Sequence, residues 1–319
     1  MRIAHFSDLH ILSIDDVPAW RFLNKRLTGW AMLRFHRKSV HRPEAVNAVA
    51  EEVRRVGVDH VAITGDLSNL ALESEFQEIT RFLDVRLGLP AHSVSIVPGN
   101  HDLYTHGSVR CRRFESFFGE YLKSDLPHVG VEHHGARWPV VKLRGPAAII
   151  GLSSAVPRLP MVASGYFGDA QLDAFSEALE HPEVKRRTKV ILQHHPAHNF
   201  DRLFIAKMEG LTDSHKLAHK LGDVERGLIL HGHSHHRVRR EIATRGGLVD
   251  VVCAASASLI SDNPDRHAGF NLYEIDDASG DVTRIEAHVL GEDGRFEQRE
   301  IPRDTSGRRE VHSMHTAPR

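Results

Sequence analysis

Apolar and polar positions change period several times along the chain. Residues 2–6, 58–64, 93–97, 147–152, 189–192 and 227–230 are short, largely apolar runs, whose length and β-branched content predict buried strands. Between them the period lengthens to that of a helix. Pro43 opens such a segment over 43–56, with Ala45, Val46, Val49, Ala50 and Val53 on one face. The same pattern predicts helices over 73–87, 169–179 and 214–220. Strand and helix in alternation point to a mainly parallel sheet flanked by helices. In such sheets the functional groups sit at the carboxyl ends of the strands. Beyond residue 230 the runs at 237–241, 248–253, 270–275 and 282–289 are hairpin-like, and we expect them to build a second sheet. The expectation is an α/β fold of two stacked mixed sheets with helices outside. No internal repeat is visible, and the Pro-, Arg- and Ser-containing end over 302–319 is expected to be disordered.

Composition narrows this little. With 319 residues the chain can bury a large core, and 41% hydrophobic with 26% charged residues is an ordinary globular balance. A formal net charge of −1 argues against a nucleic-acid partner. Cys111 and Cys253 are too few for a disulfide framework and fit a reducing compartment. No run approaches the ~20 apolar residues that span a bilayer. The sequence opens on a strand, so a cytoplasmic location is the expectation. The anomaly is 25 histidines, the commonest metal-ligating residue type, whose position must decide their meaning.

Position is informative. The first strand is followed by Ser7-Asp8-Leu9-His10, the second by Gly65-Asp66-Leu67-Ser68-Asn69, and the third by Gly99-Asn100-His101-Asp102. The run ending at Leu192 leads into His194-His195-Pro196, and that ending at Leu230 into His231-Gly232-His233-Ser234-His235. A histidine in the core by chance explains one such strand end, not five. Asp8 with His10 and His233 with His235 are i, i+2 pairs, which extended backbone would project to one side. A glycine before Asp66, Asn100 and His233 permits close backbone approach. Carboxylates, imidazoles and an amide without thiolate suit divalent Mn, Fe, Co or Zn, and there are too many ligands for one ion.

These motifs, D-x-H, GD, GNHD, H and GHxH in that order from Asp8 to His235, resemble those of the calcineurin-like metallophosphoesterase superfamily. The resemblance implies a four-layer αββα sandwich over residues 1–301 with a site for two divalent metal ions. It assigns Asp8, His10 and His235 to one ion and Asn100, His194 and His233 to the other, with Asp66 bridging. His101 would face the substrate phosphate and protonate the leaving oxygen. Asn69, three residues after the bridging Asp, matches a position close to that histidine. His195 and His231 are read as packed behind the ligands or facing substrate, and Asp102 as orienting backbone. The basic runs 110–113 and 237–240 are read as solvated faces. Two ions about 3.5–4 Å apart would acidify a bridging water and clamp the phosphate for in-line attack by the resulting hydroxide. No serine or cysteine nucleophile motif is present.

Residues 17–42, directly after Asp8-x-His10, hold seven Lys or Arg with no acid, together with Trp20, Phe22, Leu23, Leu27, Trp30, Leu33 and Phe35. Three readings of this basic amphipathic insert stay open: a packed lid, a guide for anionic small-molecule phosphoesters, or an interfacial helix in peripheral contact with the inner membrane surface. The motif forms resemble the bacterial cyclic-nucleotide and glycerophosphodiester phosphodiesterase branch, although Ala197 stands where that branch commonly has a second proline. The insert is similar to that of the UDP-2,3-diacylglucosamine pyrophosphatases. Phosphodiester hydrolysis is therefore the expectation, with lipid-linked pyrophosphate hydrolysis second. The complete ligand set argues against a non-catalytic scaffold, and the neutral net charge against a nuclease.

Overall fold

The computed structural model describes residues 1–14, 17–22, 25–27, 41–198 and 202–304. The first apolar runs form β1 (Arg2–Phe6), β2 (His60–Thr64) and β3 (Val94–Val97), followed by a small hairpin of β4 (Val131–His133) and β5 (Ala136–Trp138). The middle of the chain supplies β6 (Val140–Arg144), β7 (Ala147–Gly151), β8 (Thr188–Leu192), β9 (Arg226–His231), β10 (Val238–Ala243) and β11 (Leu248–Cys253). The last three are β12 (Gly269–Ile275), β13 (Val282–Leu290) and β14 (Phe296–Arg299). They assemble into two six-stranded mixed sheets, ordered β14-β13-β12-β1-β2-β3 and β10-β11-β9-β8-β7-β6.

Alternation along the strands explains the layering. In β8, Val190 and Leu192 enter the core shared with the first sheet, while Ile191 enters a second core with the helices Asp169–Glu180 and Ser214–Lys220. β7 and β9 split in the same way, Ile149 and Leu228 to one core and Ile150 and Ile229 to the other. The helix Pro43–Val56 contributes Val46, Val49, Ala50 and Val53 to the first core. The result is the expected α/β architecture of two stacked mixed sheets with flanking helices.

Several expectations need correction. The late strands do not form a sheet of their own. β11 lies parallel beside β9, whereas β12 returns antiparallel to β1 and carries β13 and β14 with it. Without β12, the buried residues of β1 would stand at an open sheet edge with unpaired backbone groups. The helix expected over 73–87 is α-helical over Glu73–Arg81 and continues as a π-helix over Phe82–Leu87. Residues 302–304, expected to be disordered, run beside β10, with Arg239 N–H donating to Pro302 O at 2.8 Å and Arg240 paired to Asp304. Residues 305–319 lie outside the described residues. Nor are the two basic runs wholly solvated. Arg237 is buried and donates to the Pro264 and His267 carbonyls. Arg113 is buried against the Ala71 carbonyl and Glu73.

Much of the 17–42 insert, including 28–40, lies outside the described residues. Of the described part, Trp20 and Leu27 are exposed, whereas two arginines pack inward. Arg26 is buried and donates to the carbonyls of Leu70 and Ala71, and Arg21 pairs with Glu73. The loop they grip, residues 69–72, is held from its other side by Glu75, one oxygen of which accepts from Leu70 N–H at 2.9 Å and Leu72 N–H at 3.0 Å. Among the described residues no helix is long and apolar enough to cross a membrane.

Burial raises the Glu75 carboxyl from its ordinary 4.5 to about 8, outweighing these amide donors. The folded value lies above the unfolded one, so the stability this group contributes is full in acid and is lost as pH rises towards 8. Between about pH 5 and 8, chemical denaturation should therefore show the wild type losing on the order of 1 kcal/mol per pH unit relative to Glu75→Gln. A pH-independent difference between the two proteins would contradict this.

Candidate metal centre

The carboxyl ends of β1, β2, β3, β8 and β9 meet at one place, and each delivers polar side chains to it. Asp8 and Asp66 lie at its centre, 0% and 3% exposed. Asp8 Oδ1 is 3.1 Å from His235 Nε2, and His235 Nε2 is 3.2 Å from His10 Nε2. On the other side, Asn100 Oδ1 is 3.1 Å from His233 Nδ1 and 3.2 Å from His194 Nε2, and those two nitrogens are 3.2 Å apart. Asp66 faces both groups. Its carboxylate clusters with Asp8 and His194 and also with His10 and His101, all within 4.8 Å. The structure thus brings together all seven residues expected as ligands, in the two sets expected, with Asp66 between them.

The means of convergence differs from the expectation. Asp8, His10, His233 and His235 are not extended. Their φ angles are 55, 48, 70 and 48°, and that of Asp66 is 50°. Left-handed backbone at a non-glycine residue is uncommon, tolerated best by Asp, Asn and His, and costs roughly 1–3 kcal/mol each. The side chains therefore meet because the chain turns sharply after each strand, not because of the pleat. The glycines do act as spacing predicts. A Cβ on Gly99 would lie 2.1 Å from Asp66 Oδ1, and one on Gly232 would lie 2.4 Å from Asp8 Oδ2.

Second contacts fix each group. His194 Nδ1 donates to the Thr64 carbonyl at 2.7 Å, which turns Nε2 towards Asp66 and Asn100. The Asp8 carbonyl accepts from Ser256 Oγ at 2.6 Å, and its carboxylate accepts from His233 N–H at 3.1 Å. Asp102 is structural, as expected. Its buried carboxylate accepts from the amides of Gly99, Leu67 and Ser68, tying the second loop to the third. His101 N–H donates to Asp66 Oδ1 at 2.8 Å, and His101 Nδ1 donates to the Asn69 carbonyl at 2.7 Å. Asn69 therefore meets His101 through its main chain. Its side-chain amide is spent on the His10 carbonyl at 2.6 Å.

His195 and His231 stand behind the ligands. His195 is fully buried, with Nε2 donating to the Ala163 carbonyl at 2.7 Å and Nδ1 against Ser154 Oγ at 2.8 Å, and its ring packs 4.6 Å from that of His233. His231 Nδ1 donates to the Gly232 carbonyl at 3.1 Å. Burial lowers both imidazoles far below their usual range. Two neighbours had no motif to reveal them. Tyr104 stacks on His101 with ring centroids 5.6 Å apart, and the His41 ring lies 4.8 Å from that of His10. Only proximity in the fold identifies them.

Electrostatics and donor chemistry fit divalent cations. The ion-pair partners of Asp8 and Asp66 among the described residues are histidines alone. Burial opposes charge on both carboxylates, yet the surrounding imidazoles hold them below the usual carboxylate range. Burial likewise opposes an imidazolium at His194, but Asp66 and Asp8 outweigh it and raise the group to about 9. Buried carboxylates that lack Lys or Arg, and imidazole nitrogens that face one another, are the arrangement a bound metal ion satisfies.

A search among curated proteins returns no relative by sequence. The fold is shared with a dimetal phosphatase from Danio rerio, at TM-score 0.55 and 15% identity over 94% of this chain and 99% of that one. It is shared too with a purple acid phosphatase from yellow lupin (Lupinus luteus) seeds, at TM-score 0.56 and 11% identity. That match covers 96% of this chain and 54% of the lupin protein. The sequence profile of the calcineurin-like phosphoesterases matches residues 1–237, which contain every residue of the cluster. The chain belongs to the calcineurin-like phosphoesterase family, dimetal hydrolases of phosphoric esters.

Proposed function

We propose that the chain is a binuclear metal-dependent phosphodiesterase. The carrying observation is the pair of donor sets, Asp8 with His10 and His235, and Asn100 with His194 and His233, on either side of the buried Asp66. Mn, Fe, Zn or Co ions held there would supply Lewis acidity, acidifying water and neutralising phosphate oxygens. The protein's own part is positional. Asp66 and Asp8 balance the positive charge, Asn69 fixes the His101 tautomer through its carbonyl, and Tyr104 supports the ring from one face. With Nδ1 turned to that carbonyl, Nε2 of an imidazolium is the edge able to hand a proton to a departing alkoxide.

A second reading, pyrophosphate hydrolysis on a nucleotide-sugar lipid, draws support from a cavity of about 680 Å³ beside Tyr104. Its walls include Pro157, Leu159, Pro160 and Val162 together with Lys25, Arg26 and Arg158, and among the described residues none that lines it is acidic. Leu159, Met161, Leu203 and Phe204 are exposed nearby, on segments joined by the hydrogen bond from Ala163 N–H to Met208 O. A soluble diester would need no such apolar rim. The insert and this rim would then meet the membrane surface together. Under this reading the wild type co-sediments with anionic liposomes and the Leu203→Asp/Phe204→Asp variant does not. Equal behaviour of the two proteins removes the support.

For the phosphodiesterase itself, chelation should abolish hydrolysis of bis(p-nitrophenyl) phosphate, and Mn²⁺ should restore it. No turnover with any of the four metals would favour a scaffold. Asp66→Ala should lose bound metal and activity together, whereas a retained stoichiometry of two ions contradicts the bridge. His101→Ala should keep its metals while turnover falls by ~10²–10⁴-fold, most for poor leaving groups. An equal loss for nitrophenyl and alkyl esters would show that His101 is not the acid.

A further inference from the structure

We propose that His41 is a further ligand to the ion held by Asp8, His10 and His235. This rests on the binuclear reading above and extends it to a residue outside every motif. A ring nitrogen of His41 lies within 4.8 Å of ligand nitrogens of both His10 and His235. The ring is edge-on to both neighbours, at 71° to His10 and 82° to His235, with centroids 4.8 and 5.7 Å away. Neither neighbour stacks on the His41 ring, so the closeness of the three nitrogens is not a by-product of ring stacking.

The position is built rather than incidental. His41 forms an antiparallel bridge with Leu259, and Arg42 N–H donates to the Ser258 carbonyl at 2.8 Å. His41 Nδ1 is 2.7 Å from Ser258 Oγ. Ser258 Oγ also reaches the Asp8 carbonyl at 3.3 Å and Ser256 Oγ at 3.1 Å, and Ser256 donates to the same Asp8 carbonyl. One serine pair thus anchors both His41 and Asp8. A ligating histidine commonly has its remote nitrogen fixed in this way, which sets the tautomer and aims the other nitrogen at the metal. With Nδ1 engaged by Ser258, Nε2 is the coordinating atom.

The consequence is asymmetry between the two metal positions. Asp8, His10, His235, Asp66 and His41 would leave at most one open place on a six-coordinate ion. Asn100, His194, His233 and Asp66 would leave more room at the other position, where a phosphate oxygen could then be accommodated. A third imidazole also biases the first position towards nitrogen-preferring Zn or Co over Mn.

The test uses metal-free full-length protein titrated with Co²⁺, followed by calorimetry and by visible absorption. Wild type should take up two ions. His41→Ala and the ring-filling His41→Phe should each weaken one binding step by at least ~10-fold and change its absorption band, with the other step unaltered. Thermal melts of the metal-free proteins report whether a substitution harms the fold. As a check that needs no substitution, Zn²⁺-loaded wild type labelled with ¹⁵N-histidine should show His41 among the metal-shifted imidazoles, beside His10, His194, His233 and His235. Wild-type affinities and spectra in both variants, or an unshifted His41, would overturn the proposal. Failure of wild type to bind two ions would instead count against the binuclear reading on which it rests.

Discussion

Two carboxylates buried side by side are the constraint to which the rest of the structure answers. Removing a carboxylate from water costs several kcal/mol even after relaxation, and Asp8 and Asp66 also repel one another. Neither has a lysine or arginine in an ion pair among the described residues. Their charge is met by imidazoles and by the amides of His233 and His101, and divalent cations bound there would complete the balance. Left-handed backbone at the two carboxylates and at three of the surrounding histidines, with glycines in near contact at two places, is what bringing so many polar groups to one point requires. A core optimised for stability alone would contain none of these features.

The loop over 69–72 carries this constraint outward. Its first carbonyl holds His101, while its other backbone groups are gripped by Glu75, Arg26 and Arg113. Arg26 belongs to the basic insert, so a segment whose composition suggested a membrane or substrate role is, in its described part, a brace for the loop that holds His101. Orientation of His101 thereby depends on packing well removed from the metal ligands.

Much of this was legible in the sequence. Short apolar runs located the inner strands, with the helices Pro43–Val56 and Ser214–Lys220 falling where the period placed them. The five strand-end motifs named the residues that converge. Sheet membership of β12 to β14 was not legible, because strand pairing across more than 250 residues leaves no local signal. Nor was the left-handed backbone of Asp8 and His10, since an i, i+2 spacing reads equally as pleat or as turn. Arg113 and Arg237 look like solvated charges in sequence, and only the fold shows the carbonyls they satisfy. His41 lies within an insert that carries no motif, and Asn69 acts through a carbonyl, which its residue type does not advertise.

Under the binuclear reading one buried carboxylate, Asp66, would join two metal ions whose other ligands arrive on separate strands. Anomalous diffraction from crystals of the full-length protein grown with Mn²⁺, recorded on both sides of the manganese edge, tests it most directly. Two peaks about 3.5–4 Å apart are expected, one against Asp8, His10 and His235 and the other against Asn100, His194 and His233, with an Asp66 oxygen reaching each. A single peak, or two peaks with Asp66 bound to only one of them, would contradict it.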